Sequence, residues 1–251
     1  MQAPKGARAG KGIGTVAVRL CRAVAGTRRA QLSPSDSEPR TRFALGTLVA
    51  GIAGFAVLAA LVPRKQVQAI DRAITVRLQA IRHPWIERAM VFVSWFGFPP
   101  QSRVLPPAYA AALWVARFRL EAVFQLAAWG SALLSTIVKS FVRRRRPADG
   151  KDLRVVAAPL GGSSFPSGHV LTYVGVYGWM ALMADLLIRP SIPRRLAVAA
   201  LTALIAAVGP SRIYLGHHWP TDVAASYLLG SSYLAALVVA YRRLTSRRLL
   251  Q

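Results

Sequence analysis

Residues 43–62 read FALGTLVAGIAGFAVLAALV, twenty positions without a charge between Arg42 and the sequence Pro63-Arg64-Lys65. At 1.5 Å per helical residue, that run matches a hydrocarbon core of about 30 Å and reads as a membrane-spanning helix. Working outward, similar runs lie at 122–138, 170–188, 196–211 and 223–241. The run 196–211 is short, but Arg195 and Arg212 pin both of its ends, and Asp185 falls near the inner end of the run before it. Between the first and the clearer later runs, Arg103 divides 89–102 from 104–116. Residues 99–116 are the expected second span, with Arg103 reaching back to the interface along its own methylenes. The expected fold is therefore all-α, a bundle of six membrane-spanning helices. Residues 66–89 set charges among Ile70, Ile74, Leu78 and Ile81, the spacing of an amphipathic helix lying on the membrane after the first span.

Composition agrees with a membrane protein and removes other classes. Of 251 residues 54% are hydrophobic, yet 33 Lys and Arg against nine Asp and Glu give a net charge of +24. A disordered basic chain lacks that apolar content, and a soluble nucleic-acid binder explains the charge but not the apolar excess. Charges crowded into loops and tails of a membrane protein explain both. The lone Cys21 excludes a disulfide framework or a thiolate metal site. Residues 1–42 hold nine of the cations and no acid before Asp36, with no apolar run long enough for a signal-peptide core. They read as a basic, disordered tail attracted to anionic head groups. The expected division is 1–42 tail, 43–241 membrane domain and 242–251 basic tail.

Six spans place both termini on one side. The cations of residues 1–42, Arg117, Arg119, Arg189, Arg194, Arg195, Arg242, Arg243, Arg247 and Arg248 then total eighteen inside against fifteen outside. By the positive-inside tendency, both termini are expected to be cytoplasmic.

The outer span ends carry an unusual set of polar residues. Lys139 leads through Arg143-Arg144-Arg145-Arg146-Pro147 at the end of the third span, and Pro166-Ser167-Gly168-His169 opens the fourth. Ser211-Arg212 ends the fifth, and His217-His218-Trp219-Pro220-Thr221-Asp222 opens the sixth. Because successive spans alternate in direction, these four ends share one side. Lys139, Arg146 and Arg212 suit phosphoryl oxygens, an Arg gripping two at once. Ser167 and Gly168 stand where free backbone N–H groups favour an anion, and Ser167 either caps the helix or donates to a phosphoryl oxygen. Of two imidazoles, one can attack phosphorus and the other can protonate the leaving oxygen. Asp222, four residues past His218, can hold that ring. Taken singly, each piece has a plainer explanation: a lipid contact for the Arg run, a cap for Ser-Gly-His, an ordinary first-turn acid for Asp222. Their conjunction on one face is what points to chemistry.

With these residues the chain resembles the type 2 phosphatidic acid phosphatase superfamily of membrane lipid phosphatases. That family's signature, Lys-x6-Arg-Pro, Pro-Ser-Gly-His and Ser-Arg-x5-His-x3-Asp, is matched in order by Lys139 to Pro147, Pro166 to His169 and Ser211 to Asp222. The resemblance extends over 43–241 in span layout. It implies His218 as nucleophile oriented by Asp222, and His169 as the acid that protonates the leaving oxygen. It further implies Lys139, Arg146, Arg212, Ser167 and Gly168 as the phosphate-binding set. Arg143, Arg144 and Arg145 lie outside the signature and read as an attraction for anionic substrate. No metal or other cofactor is implied, because three cations neutralise charge where Mg²⁺ does so in other phosphoryl-transfer enzymes.

The expected function is hydrolysis of a lipid phosphate or diphosphate monoester through a phosphohistidine, in the plasma membrane with the site on the extracytoplasmic face. Expected partners are that lipid substrate and membrane lipids, with no nucleic acid. Vanadate-dependent haloperoxidases share such pocket chemistry but are soluble. A non-catalytic protein that binds or translocates lipid phosphates on the same fold is the competing reading, and the intact His218, His169 and Asp222 speak against it.

Overall fold

The computed structural model describes residues 34–147, 153–156 and 160–249, and the described secondary structure is helical. In chain order the helices are α1 (Pro34–Leu61), α2 (Lys65–Gln79), α3 (Pro84–Trp95), α4 (Gln101–Val115), α5 (Arg119–Trp129) and α6 (Ser131–Phe141). There follow α7 (Gly168–Thr172), a π-helical turn (Tyr173–Tyr177), α8 (Gly178–Leu187), α9 (Ile192–Tyr214) and α10 (Pro220–Leu249).

Five helical stretches are long and apolar enough to cross a membrane: Glu38–Leu61, Arg119–Phe141, Gly168–Leu187, Ile192–Tyr214 and Pro220–Ser246. They correspond to the expected spans 43–62, 122–138, 170–188, 196–211 and 223–241. The expected span 99–116 is occupied by α4, whose 15 residues extend about 22 Å and fall short of a full hydrocarbon core. Gly97 and the pair Pro99-Pro100 account for this. Proline lacks the N–H that continues a helix and pushes its predecessor out of the α region, so α3 stops at Trp95 and a new helix begins beyond Pro100.

Three other expectations change. Helix α1 begins at Pro34 and takes in 34–42, which the sequence assigned to the tail, while residues 1–33 lie outside the described residues. The last helix runs to Leu249, through most of the expected C-terminal tail. The region 66–89 is two helices rather than one, broken before Pro84, where the His83 side chain accepts from Trp85 N at 3.3 Å. Its first helix, α2, buries the polar stripe Asp71, Thr75 and Gln79 and leaves Ile70 and Ile74 exposed. The bundle supplies polar partners at that point, so the polar edge turns inward.

The stretch from α7 to α8 is the centre of the bundle. Tyr173, Val174, Val176 and Tyr177 pack with Val208, Ile213 and Val223 from α9 and α10. Lower down, Trp179 and Met183 meet Phe124, Ala128 and Tyr241, with the Phe124 and Trp179 rings stacked at 5.3 Å. Helix α1 is peripheral by contrast, touching α10 through Ala44, Ala235 and Val239 while most of its side chains face outward. A membrane solvates that outer surface, so no water-driven core is needed there.

Candidate active site

Four helix ends and one helix break converge. Lys139 sits in the last turn of α6, and Ser167 is the N-cap of α7. Arg212 lies in the last turn of α9, which ends in a left-handed turn at Gly216 (φ 75°). Only glycine tolerates that backbone without strain, and a Cβ there would meet Arg154 O at 2.2 Å. The turn folds 217–218 back, so that the backbone N–H groups of His217 and His218 both donate to Arg212 O, at 3.1 and 3.3 Å. Pro220 then starts α10, and Asp222 accepts from Trp219 N at 2.9 Å, a side-chain cap that fixes the carboxylate.

His218 is almost fully enclosed. Its Nδ1 lies 2.7 Å from Ser164 O. A carbonyl oxygen only accepts, so Nδ1 carries the proton and Nε2 carries the lone pair. Asp222 does not hold the ring as the sequence suggested: its Oδ2 stands 3.8 Å from Nδ1, beyond a hydrogen bond. Burial, reinforced by Arg212, Arg146 and Lys139, keeps the His218 pKa well below that of an ordinary histidine. The ring is thus neutral at neutral pH, as a nucleophile requires, and three cations face it.

The remaining signature residues fall into two groups. Arg146 is largely committed to backbone: Nε donates to Gly161 O and Gly162 O (each 3.2 Å), Nη2 to Ser163 O (3.1 Å) and Nη1 to His217 O (2.8 Å). Nη1 also lies 3.5 Å from His218 Nε2. By contrast, Ser167 Oγ, His169 Nε2, and Nε and Nη2 of Arg212 are buried without a hydrogen-bond partner among the described residues. Ser167 does not cap its helix through its side chain, which leaves the hydroxyl for a ligand. Its N–H donates to Ser226 Oγ at 2.7 Å instead. Beside it, a Cβ on Gly168 would stand 3.2 Å from Ser135 Oγ and 3.9 Å from Lys139 Nζ, so the lysine reaches the start of α7.

Several residues that the sequence did not single out complete the site. Arg212 Nη1 donates to Ser94 Oγ at 3.1 Å, and Ser94 and Ser211 hydroxyls are 2.7 Å apart. Ser211 gives its proton to Met90 O at 2.6 Å, so Ser94 is the donor to Ser211 and uses its lone pair for Arg212. The Arg212 guanidinium also lies 5.1 Å over the Phe98 ring. Phe98 meets His169 edge-on at 4.6 Å, and His217 at 6.2 Å. A Cβ on Gly97 would fall 2.2 Å from His169 Cδ2, so the α3–α4 break lets backbone lie directly on that ring. Arg144, read as a surface attraction for substrate, is instead enclosed between two carboxylates: Nη1 donates to Asp222 Oδ1 and Nη2 to Asp71 Oδ2, each at 2.5 Å. Arg143 and Arg145 remain exposed, as a substrate-attracting role requires.

Fold and site together define a multi-pass membrane protein that carries a phosphatase centre. The profile described as PAP2 superfamily matches residues 120–246. Phosphatidylglycerophosphatase B of Bacillus subtilis is 30% identical over 184 residues, covering 70% of this chain and 85% of that protein. Lipid A 1-phosphatase of Rhizobium johnstonii is 33% identical over 118 residues, 44% of either chain. The crystal structure of a transmembrane PAP2 type phosphatidylglycerolphosphate phosphatase from Bacillus subtilis superposes with a TM-score of 0.66 at 27% identity, over 76% of this chain and 94% of that one. Aquifex aeolicus LpxE shares the fold, with a TM-score of 0.52 at 24% identity over 66% and 93%. The chain belongs to the PAP2 superfamily, and by class it is a phosphoric monoester hydrolase.

Proposed function

We propose that the protein hydrolyses the terminal phosphate of a membrane lipid through a phosphohistidine on His218. The observation that carries this reading is the His218 ring itself, whose proton is held on Nδ1 by Ser164 O while Nε2 faces the cations. Nε2 attacks phosphorus, the N–P bond forms and the P–O bond to the lipid breaks. His169, taking up a proton as the anionic phosphate binds, gives that proton to the leaving oxygen. Water then attacks phosphorus while His169 takes a proton from it, the N–P bond breaks, and phosphate leaves with His218 restored. Arg212, Lys139, Arg146 and Ser167 hold the phosphoryl oxygens, and Gly168 lets the start of α7 approach them. Asp222 offsets the positive charge that His218 gains on phosphorylation. With the neutralising charge supplied by side chains, phosphate release is expected to continue in EDTA.

The similarity to phosphatidylglycerophosphatase B favours a glycerophospholipid phosphate, with phosphatidylglycerol phosphate the first substrate to try. Phosphatidic acid, a polyprenyl diphosphate and lipid A complete the panel. Six crossings fit this reading. The outer end of α1 and the end of α6 both approach the site, so the chain returns to the opposite end between them, and α4 packed along α5 is the leg available. The eighteen cations that six crossings would assign to the far side favour cytoplasmic termini in the plasma membrane and an extracytoplasmic site. The enclosed, neutral His218 ring opposes the non-catalytic alternative, because mere lipid binding needs no neutral imidazole among cations.

The test is phosphate release by purified protein over that lipid panel, with and without EDTA. His218→Ala is expected to lower release by about four orders of magnitude or more while the protein stays folded and membrane-inserted. Activity near the parent level in His218→Ala would sink the mechanism.

A further inference from the structure

Asp222 does not bond His218, and both of its oxygens are in use: Oδ2 by Trp219 N at 2.9 Å, Oδ1 by Arg144 Nη1 at 2.5 Å. The distance between carboxylate and imidazole is therefore set by the Trp219 N–H on Oδ2 together with Arg144 on Oδ1. That guanidinium is itself held from a different helix. Asp71, on α2 and fully enclosed, accepts from Arg144 Nη2 at 2.5 Å. Asp71 also accepts from Thr221 N at 2.9 Å and Thr221 Oγ1 at 2.6 Å, and Arg144 Nη1 reaches Thr221 Oγ1 at 2.7 Å. The network locks α2 to the first turn of α10 and to the segment after α6, three pieces far apart in sequence.

Charge explains why two acids are present. Arg144 and Asp222 alone would cancel, and a neutral pair gives little support to an imidazole that turns cationic when it bonds to phosphorus. Asp71 returns the group of three to a net single negative charge next to His218.

We propose that Asp71 and Arg144 are positioning residues for the reaction: Arg144, with the Trp219 N–H, fixes the Asp222 carboxylate 3.8 Å from His218, and Asp71 both anchors Arg144 and leaves the group net negative. Helix α2 in this way supports the reaction, although none of its residues belongs to the phosphate-binding set. The inference rests on His218 being the nucleophile. His218→Ala tests that premise separately: an active His218→Ala protein removes the premise, whereas an inactive one leaves Asp71 to be judged on its own variants.

Asp71→Asn keeps shape and most hydrogen bonds but removes the charge. It is expected to lower kcat by about thirty- to a hundredfold with KM within about threefold, and to reduce phosphohistidine trapped by rapid quench in the same proportion. Asp71→Glu is expected to recover at least a tenth of parent kcat. Arg144→Lys keeps its charge but cannot span two carboxylates, and is expected to lose about tenfold or more in kcat. It serves as the second variant should Asp71→Asn fail to accumulate. Parent kcat in either Asp71→Asn or Arg144→Lys overturns the proposal. So does a loss that tracks thermal stability equally in Asp71→Asn and Asp71→Glu, because that is the behaviour of a purely structural contact.

Discussion

On the Asp222 side of His218, Arg144, Asp71, Thr221 and the Trp219 N–H make a closed set of hydrogen bonds between 2.5 and 2.9 Å. On the Ser167 side, the Ser167 hydroxyl, His169 Nε2 and two Arg212 nitrogens are just as buried yet unpartnered among the described residues. A buried donor left unmade costs about 1–3 kcal/mol, so a fold keeps several of them together only where something else supplies the acceptors. The saturated side is scaffold that fixes geometry, and the unsaturated side is where an anion with several oxygens fits. One imidazole stands at the boundary between them.

That contrast can be broken at graded points. The largest effect in this set is expected for His169→Ala on the unsaturated side, a fall in kcat of about 10² to 10⁴. A substrate with an aryl phosphate leaving group needs little protonation and should regain most of that loss; no difference between aryl and lipid substrates would argue against His169 as the acid. Next, Ser167→Ala removes a donor that has no partner within the protein. Phosphate release should fall about tenfold through kcat/KM while the melting temperature holds or rises slightly, because no native bond is lost. A clear drop in melting temperature would place Ser167 with the scaffold instead. The smallest change is expected on titration. Burial and the three facing cations lower the His218 pKa, so the neutral form persists as pH falls past the ordinary histidine value of about 6.5. Nitrogen NMR of histidine-labelled protein, with His218→Ala used for assignment, should still report a neutral ring protonated at Nδ1 at about pH 6. An imidazolium signature there would contradict the enclosure described.

How much of this was legible beforehand differs between the two sides. Lys139, Arg146, Ser167, His169, Arg212, His218 and Asp222 were all readable, because the chemistry of a phosphate restricts residue type and span parity restricts which ends can meet. Asp71 was passed over although a signal existed. In a chain with nine acids, Asp71, Thr75 and Gln79 repeat at four-residue intervals, which puts a polar stripe along one helix edge. The charges set among Ile70, Ile74, Leu78 and Ile81 suggest an interfacial helix instead, because periodicity gives a face without saying what it meets. Arg144 was hidden by its neighbours: within four successive arginines, only packing distinguishes the one held between two carboxylates from those left exposed. Ser94, Gly97 and Phe98 lay in the stretch where helix signals were weakest. The same prolines that obscured the second span are what bring backbone against His169.

By itself the sequence determined the helical class, the long apolar spans and the set of groups fit for phosphoryl transfer. These follow from local properties: run length against bilayer thickness, proline and glycine at helix ends, charge and side-chain chemistry. Only the tertiary structure decided which atom of His218 is free, that Ser164 rather than Asp222 receives its proton, and that α2 reaches the site through Asp71. Those outcomes depend on separations of a few tenths of an ångström between segments 54 to 150 residues apart. Hydrogen bonding is steep over that range, and residue order does not encode it.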